Sequence, residues 1–207
     1  IIDDCLEDDS IKVIEEFIEN NQDSDIKFRL IKNNENQGQL AGFVKGIKES
    51  RGVFIGFVDA DDIILPEYVN AHVQTHFKTN VAMTVTQQIE FDENNQIHSL
   101  FSLASPQLHP QGEGNFRILK YDELASIVNA QNFSENEIKY KVISVDTHRF
   151  GGWYWGPTSN VIFRKKAIEL FTFINDYEHW KYCADNILYN YAHLIGGSCL
   201  IYTPLTA

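Results

Sequence analysis

Val53-Phe54-Ile55-Gly56-Phe57-Val58 runs without a charge into Asp59-Ala60-Asp61-Asp62. The run is short, β-branched and aromatic, the pattern of a strand buried on both faces of a parallel sheet. Three carboxylates stand where that strand should emerge, and in open α/β sheets ligands bind outside the carboxyl ends of the strands. Asp59 and Asp61 are separated only by Ala60, small enough to leave room for a bulky ligand. Two hard oxygen donors at this spacing suit a divalent cation, Mg2+ or Mn2+, that also holds phosphate oxygens. The same acids would serve as an acidic turn ahead of a helix, since Pro66 suits a first helical position. D-x-D alone does not separate the two readings.

Upstream, Ile1-Ile2 reads as the end of a strand that terminates in Asp3-Asp4. Asp8, Asp9 and Ser10 offer N-caps for a helix with Ile11, Ile14, Phe17 and Ile18 on one face. Ile26, Phe28 and Leu30 alternate with polar residues as a strand does, and a polar loop, Asn33–Gly38, follows. Leu40, Phe43, Val44 and Ile47 recur at helical spacing, closed by Arg51-Gly52. This β-α-β-α-β order predicts a mostly parallel central sheet with right-handed crossovers. Downstream, a helix carrying Val69, His72, Val73 and His76 leads to a strand over Val81–Ile89, and Asp92-Glu93-Asn94-Asn95 reads as a hairpin turn. Residues 104–118 read as a loop, and Tyr121, Leu124, Ile127 and Val128 as a helix. Asn160–Phe163 then predicts a strand, Lys165–Thr172 and Asp185–Leu194 helices, and Ser198–Tyr202 a last strand. No repeat or linker interrupts the pattern, which predicts one domain over residues 1–207.

The chain has 207 residues, 43% hydrophobic and 13% aromatic, enough for a full core. Its 17 basic and 29 acidic residues give a net charge of −12, which opposes nucleic-acid binding. Anionic substrates would need metal ions or a local basic patch. No apolar run reaches the length of a membrane-spanning helix. The chain opens in mid-strand and stops without a terminating pattern, so it is expected to be truncated at both ends. Cys5, Cys183 and Cys199 are odd in number and widely spaced, as in a reduced, cytoplasmic protein, and each reads as a small hydrophobe.

Several residues remain open between roles. Asp3-Asp4 could bond a base or a ribose hydroxyl, or simply cap the following helix. A paired-acid receiver domain begins similarly, but no Thr or Ser and Lys at later strand ends supports one. Trp153 and Trp155, in a glycine-rich aromatic segment from Gly151 to Asn160, could stack on a sugar or plug the core beneath a loop. His148 and Arg149 could meet a diphosphate or lie in solvent. His72 and His76, spaced i, i+4, lack the third ligand or Glu of a zinc motif and read as a helix face.

Together, these residues resemble family 2 glycosyltransferases of the GT-A fold. The family's D-D-x-S-x-D pattern is similar to Asp3-Asp4-Cys5-Leu6-Glu7-Asp8, its N-x-G loop to Asn36-Gln37-Gly38, and its D-x-D to Asp59-Ala60-Asp61, with Asp62 as the extra acid. The specific motifs lie mainly in residues 1–67. The resemblance implies a Rossmann-like, three-layer α/β/α sandwich, with residues 1–90 as the nucleotide-sugar half and 91–207 as the acceptor half. It implies an inverting transfer from a nucleotide-diphosphate sugar, first a UDP-sugar, to a saccharide or lipid-linked acceptor, with Mn2+ or Mg2+. Asp3, Asp4, Asn36, Gly38, Asp59 and Asp61 would bind the donor, Asp59 and Asp61 the metal, and Trp153, Trp155 and Asp62 would contact substrate. Asp185 matches the acid of the family's E-D pair and would be the base, although a lone Asp ahead of a helix is also an N-cap. A cytoplasmic protein is implied, associated with a membrane face through regions outside this chain. Departures are Cys5 and Leu6 for a small residue and Ser, Phe43 for a common Arg, Ala184 for Glu, and a first strand that would precede residue 1. They keep open a catalytically inert binding domain. A sugar-nucleotide pyrophosphorylase would want a basic, Gly-rich loop where the loop after Asp4 is acidic.

Overall fold

The computed structural model describes residues 1–5, 8–91, 97–101, 142–145, 156–174 and 184–207. Two short strands, β1 (Ile2–Asp3) and β2 (Ile31–Lys32), pair in parallel and flank helix α1 (Ser10–Asn20) in sequence. A second sheet contains β3 (Phe54–Gly56), β4 (Met83–Phe91), β5 (Ile97–Phe101), β6 (Val142–Val145), β7 (Val161–Arg164) and β8 (Ser198–Thr206), in the order β3-β7-β4-β8-β6 with β5 also on β4. Helices α2 (Gln39–Glu49), α3 (Tyr68–Lys78), α4 (Lys165–Ile168) and α5 (Ala184–Gly196) pack around it. The α/β architecture is the expected one. Its central sheet is mixed and not mostly parallel as expected: β4 and β8 run parallel, and the other described pairs in it are antiparallel. Because β7 is antiparallel to both β3 and β4, the β3-α3-β4 unit still connects two strands of one direction, with a strand from far downstream between them.

Side-chain alternation divides the core into two layers. Ile55, Met83, Val85, Val161, Phe163 and Leu200 face Leu40, Phe43, Val44 and Ile47 of α2 and Leu188, Tyr189 and Ala192 of α5. Phe54, Ile162, Ile201 and Leu205 face Tyr68 and Ala71 of α3 on the other side. This is a three-layer α/β/α arrangement. Arg164 and Lys165, the residues at the end of β7, secure the carboxyl ends of helices on both faces. The Arg164 guanidinium donates to the carbonyls of His76 (2.8 Å) and Thr79 (3.2 Å) at the end of α3, and Lys165 Nζ to Ser50 O (2.6 Å) after α2. Each satisfies terminal carbonyls that have no intrahelical partner and places positive charge at the negative end of the helix dipole.

Two strand expectations need correction. Val53–Val58 is not buried on both faces: only Ile55 is buried, while Val53 and Val58 are 68% and 43% exposed. β3 is an edge strand among the described residues, paired to β7 alone. Its other edge and β1 line one cleft of about 1010 Å³, walled also by Gly42, Phe43 and Gly46 of α2. Ile26, Phe28 and Leu30 form no strand; pairing starts at Ile31. Ser24 Oγ accepts the Ile26 N–H (3.1 Å), a local turn that competes with a sheet ladder. The predicted helix after β7 is one α-turn, Lys165–Ile168, continued as a 3₁₀ stretch, Glu169–Phe173. The hairpin residues 92–96 lie outside the described residues, but the strands on either side, β4 and β5, pair antiparallel. The predicted loop at 104–118 and helix near 121–128 also lie outside them. No helix among the described residues is long and apolar enough to cross a membrane.

His72 and His76 line the inward face of α3, both buried. His72 Nδ1 meets Thr84 Oγ1 at 2.7 Å and His76 Nε2 meets Ile162 O at 3.0 Å. Burial, with the neighbouring His76, pushes the His72 pKa well below the usual 6.5, and burial lowers that of His76 to about 4. Both rings therefore bind protons less readily folded than unfolded. Their contribution to stability is complete above about pH 6.5 and is lost as pH falls toward 4, with a slope of up to about 1.4 kcal/mol per pH unit for His76 alone. Urea melts between about pH 7.5 and about pH 5 should show this fall, and His76→Gln should make it shallower. An unchanged slope in His76→Gln would assign the acid sensitivity elsewhere.

Candidate active site

Asp4, at the end of β1, builds the loop that follows β2. Its Oδ1 accepts the Gln37 N–H (2.9 Å) and the Asn33 side-chain amide (2.8 Å), and its Oδ2 the Gly38 N–H (2.8 Å). Lys45 Nζ donates to Asn33 Oδ1 from α2, closing the arrangement. Gly38 has φ 82° and ψ 172°, a conformation open essentially to glycine alone. The Gly of Asn36-Gln37-Gly38 is thereby explained as a backbone requirement at the start of α2. Asp3 is 5% exposed, and its Oδ2 accepts the N–H of Cys5 (3.2 Å), itself at φ 64°.

The D-x-D loop leaves β3 and is held on both sides. The Asp59 N–H donates to Ser159 Oγ (2.9 Å), and the Asp62 N–H returns to Asp59 O (3.2 Å) as a turn. Gln88 Nε2 reaches Asp62 Oδ1 at 3.3 Å. Beyond it, Ile63 and Ala207 exchange backbone hydrogen bonds and the Leu65 N–H donates to Leu205 O (2.9 Å), so the exit is stitched to the end of β8. Asp61 and Ala60 are exposed and Asp59 is half-buried. Burial pushes the Asp59 pKa up, and the charges of Asp62, Asp61 and Asp185 push it further; a hydrogen bond from Thr158 opposes them.

Asp185 lies in the first turn of α5, 5% exposed. Burial raises its pKa, partly offset by backbone N–H groups including that of Asn186. Its Oδ1 has no hydrogen-bond partner among the described residues. The preceding N–H, of Ala184, donates to Gln39 Oε1 at 2.8 Å, tying the start of α5 to the start of α2. Tyr189, one turn along, is buried, and burial and the Asp185 charge hold its hydroxyl protonated.

The fold therefore brings Asp4, Gly38 and Asp59 onto one cleft and Asp185 within electrostatic reach of Asp59. Asn36 and Asp61 are exposed on their loops and Asp3 is buried, and none of these, nor Asp62 or Asp185, lines that cleft. Trp153, Trp155, His148, Arg149 and Cys183 lie outside the described residues. Phe43, at the position of a common Arg, is core: 4% exposed, with its ring 4.8 Å from that of Phe57. Gln39 and Gln88 belong to the site without any motif to mark them, and Thr158 and Ser159, inside the Gly151–Asn160 segment, belong to it through their hydrogen bonds to Asp59. The hydroxyl pair just before a strand was the available signal.

No group of three or more His, Cys, Asp or Glu among the described residues forms a ready-made metal cage. Asp59 and Asp61 fit a cation of the Mg2+ type in another way. Such ions are commonly held by one or two carboxylates plus substrate phosphates, and among the described residues the charges that act on Asp59 are those of other carboxylates.

The family model described as glycosyl transferase family 2 matches residues 1–148, well over half of the chain. Among solved structures, S. aureus TarS 1-349 in complex with UDP superposes with a TM-score of 0.63 at 14% identity, over 99% of this chain and 48% of that one. A second structure of S. aureus TarS 1-349 gives 0.59 at 14%, over 98% and 50%. At that identity the likeness is one of fold, and this chain spans about half the length of those structures. No curated protein sequence matches it significantly.

The acids at this site work against folding. Their folded pKa values lie above the unfolded ones, so ionisation at neutral pH opposes the folded state, and the opposition fades as pH falls below the raised values. Asp59→Asn and Asp185→Asn should each raise the thermal midpoint at pH 7 in metal-free buffer, by about 2–4 °C for each kcal/mol relieved. A lower midpoint in both variants would show that the carboxylates are structurally satisfied.

Proposed function

This chain belongs to glycosyl transferase family 2, and from that membership we propose that it moves a sugar from a nucleotide-diphosphate donor to an acceptor hydroxyl on a saccharide or lipid-linked chain. The observation that carries the reading is the hydrogen bond from the Ala184 N–H to Gln39 Oε1, which ties the start of α5, and with it Asp185, to the cleft that Asp59 lines. A donor diphosphate belongs at Asp59 and a proton acceptor at Asp185. The UDP in the S. aureus TarS complex supports a UDP-sugar as the first donor to test. In this reading residues 1–90 supply the donor half and residues 91–207 the acceptor half, with Trp153 and Trp155 as sugar-stacking candidates.

Asp59 and Asp61 would hold Mn2+ or Mg2+ together with the diphosphate. When bound, the ion neutralises charge on the departing diphosphate. The Asp4-built loop, with Asn36 and Gly38, would border the nucleoside, and Asp3 would act through its support of that loop. Asp185 takes the acceptor proton as the hydroxyl oxygen attacks the anomeric carbon. The bond from that carbon to the phosphate oxygen breaks in the same step, and its electron pair leaves with the nucleoside diphosphate. One displacement inverts the anomeric configuration, and no enzyme nucleophile takes part. A raised pKa makes Asp185 a better base than an exposed carboxylate, provided the pH stays above it.

Asp61→Ala should abolish Mn2+-dependent release of UDP from a UDP-sugar. Asp185→Ala should lower kcat about 10²–10⁴-fold while calorimetric binding of UDP with Mn2+ persists. Full activity in either variant removes that residue from the mechanism. A wild-type protein that binds UDP but transfers to neither acceptor nor water would be an inert binding module.

A further inference from the structure

Gln39 joins the two halves of the site through one hydrogen bond. It is the first residue of α2 and follows Gly38, whose N–H is held by Asp4. Its side-chain oxygen accepts the backbone N–H of Ala184, the first residue of α5, at 2.8 Å. An N–H can only donate, so the amide oxygen and not the nitrogen faces it. The first N–H groups of a helix have no intrahelical partners and usually find a local N-cap side chain. Here a side chain from another helix serves that role, immediately before Asp185. Gln39 also lines the cleft beside Asp4, Gly38 and Asp59.

We infer that Gln39 is a positioning residue for Asp185: its amide oxygen fixes the first turn of α5 against the start of α2, so that the Asp4-built loop and the proposed base are set by a single contact. The inference rests on the reading of Asp185 as the base. The geometry gives it a specific consequence. A leucine has a similar size but no acceptor. A glutamate keeps the acceptor and adds a negative charge next to Asp185, whose titratable neighbours among the described residues already include Asp59 across the loop and Tyr189 one turn on. The two substitutions should therefore fail differently.

Gln39→Leu should speed hydrogen exchange at the Ala184 amide and lower kcat, each about tenfold or more, with the affinity for UDP and Mn2+ unchanged within about twofold. Gln39→Glu should restore amide protection and shift the acid limb of the kcat profile to higher pH, recovering turnover at alkaline pH. NMR titration of the Asp185 carboxyl group, identified by its loss in Asp185→Asn, should show the same upward shift without any donor present. Unchanged exchange and kcat in Gln39→Leu would overturn the inference. So would an equal loss of UDP affinity and kcat, which would make Gln39 a donor contact. If no UDP-sugar is turned over by the wild-type protein, the functional reading fails, and the exchange and titration results still decide whether Gln39 positions Asp185.

Discussion

Insertion of β7 between β3 and β4 is the constraint on which the rest of the structure depends. One register, Ile55 opposite Phe163 opposite Met83, aligns three strands drawn from distant parts of the chain. At one end of β7, the 3₁₀ turn Thr158–Asn160 delivers Ser159 to the Asp59 N–H and Thr158 to its carboxylate. At the other end, Arg164 and Lys165 fasten α3 and α2 on opposite faces. A shift by one residue would exchange the faces of Ile162 and Phe163, putting each in the wrong core layer. The end of the sheet that carries the candidate site and its hydrophobic packing are thus specified by the same four-residue strand.

The site acids show where this order opposes stability. Asp59 and Asp185 are drawn out of water close to other carboxylates, and the histidines of α3 are buried as neutral rings. Their pH dependences have opposite signs. Acidification relieves the carboxylates and penalises the histidines. The histidines lie against the α3-facing side of the sheet, where Thr84 and Ile162 receive them, whereas the carboxylates gather at its end. Among the described residues, the histidines whose burial makes folding sensitive to acid thus lie apart from the residues of the proposed chemistry.

Much of this was legible in the sequence. Leu40, Phe43, Val44 and Ile47 marked the buried face of α2 because a helix in contact with a sheet must repeat its apolar residues every three or four positions. Asp59 and Asp185 stood out by type and by place in a motif, and the structure puts Asp59 on the cleft and Asp185 in the first turn of α5. The burial of β3 was not legible, because whether a strand lies centrally or at an edge depends on partners that local composition does not name. Residues 161–164 supply its one described partner. Nor could alternation at Ile26, Phe28 and Leu30 distinguish a strand from an extended connection that Ser24 had already turned. Gln39 carried no signal at all. Its role exists only because α2 and α5 start side by side.

Acids in a recognised motif can serve the chain or a ligand, and counting occupied lone pairs separates the two. A carboxylate offers about four acceptor positions. Three of those on Asp4 hold Asn33, Gln37 and Gly38, so its charge is already committed to shaping the loop. Asp3 is buried and bonds the N–H of Cys5. Asp185 Oδ1 is buried with no partner among the described residues, and Asp61 is exposed and is one of the acids whose charge raises Asp59. Asp4 is therefore the acid among these whose acceptor positions are most nearly filled. That contrast matches a division of labour in which Asp4 shapes the loop bordering the cleft, while Asp59, which lines it, keeps its charge available to what enters.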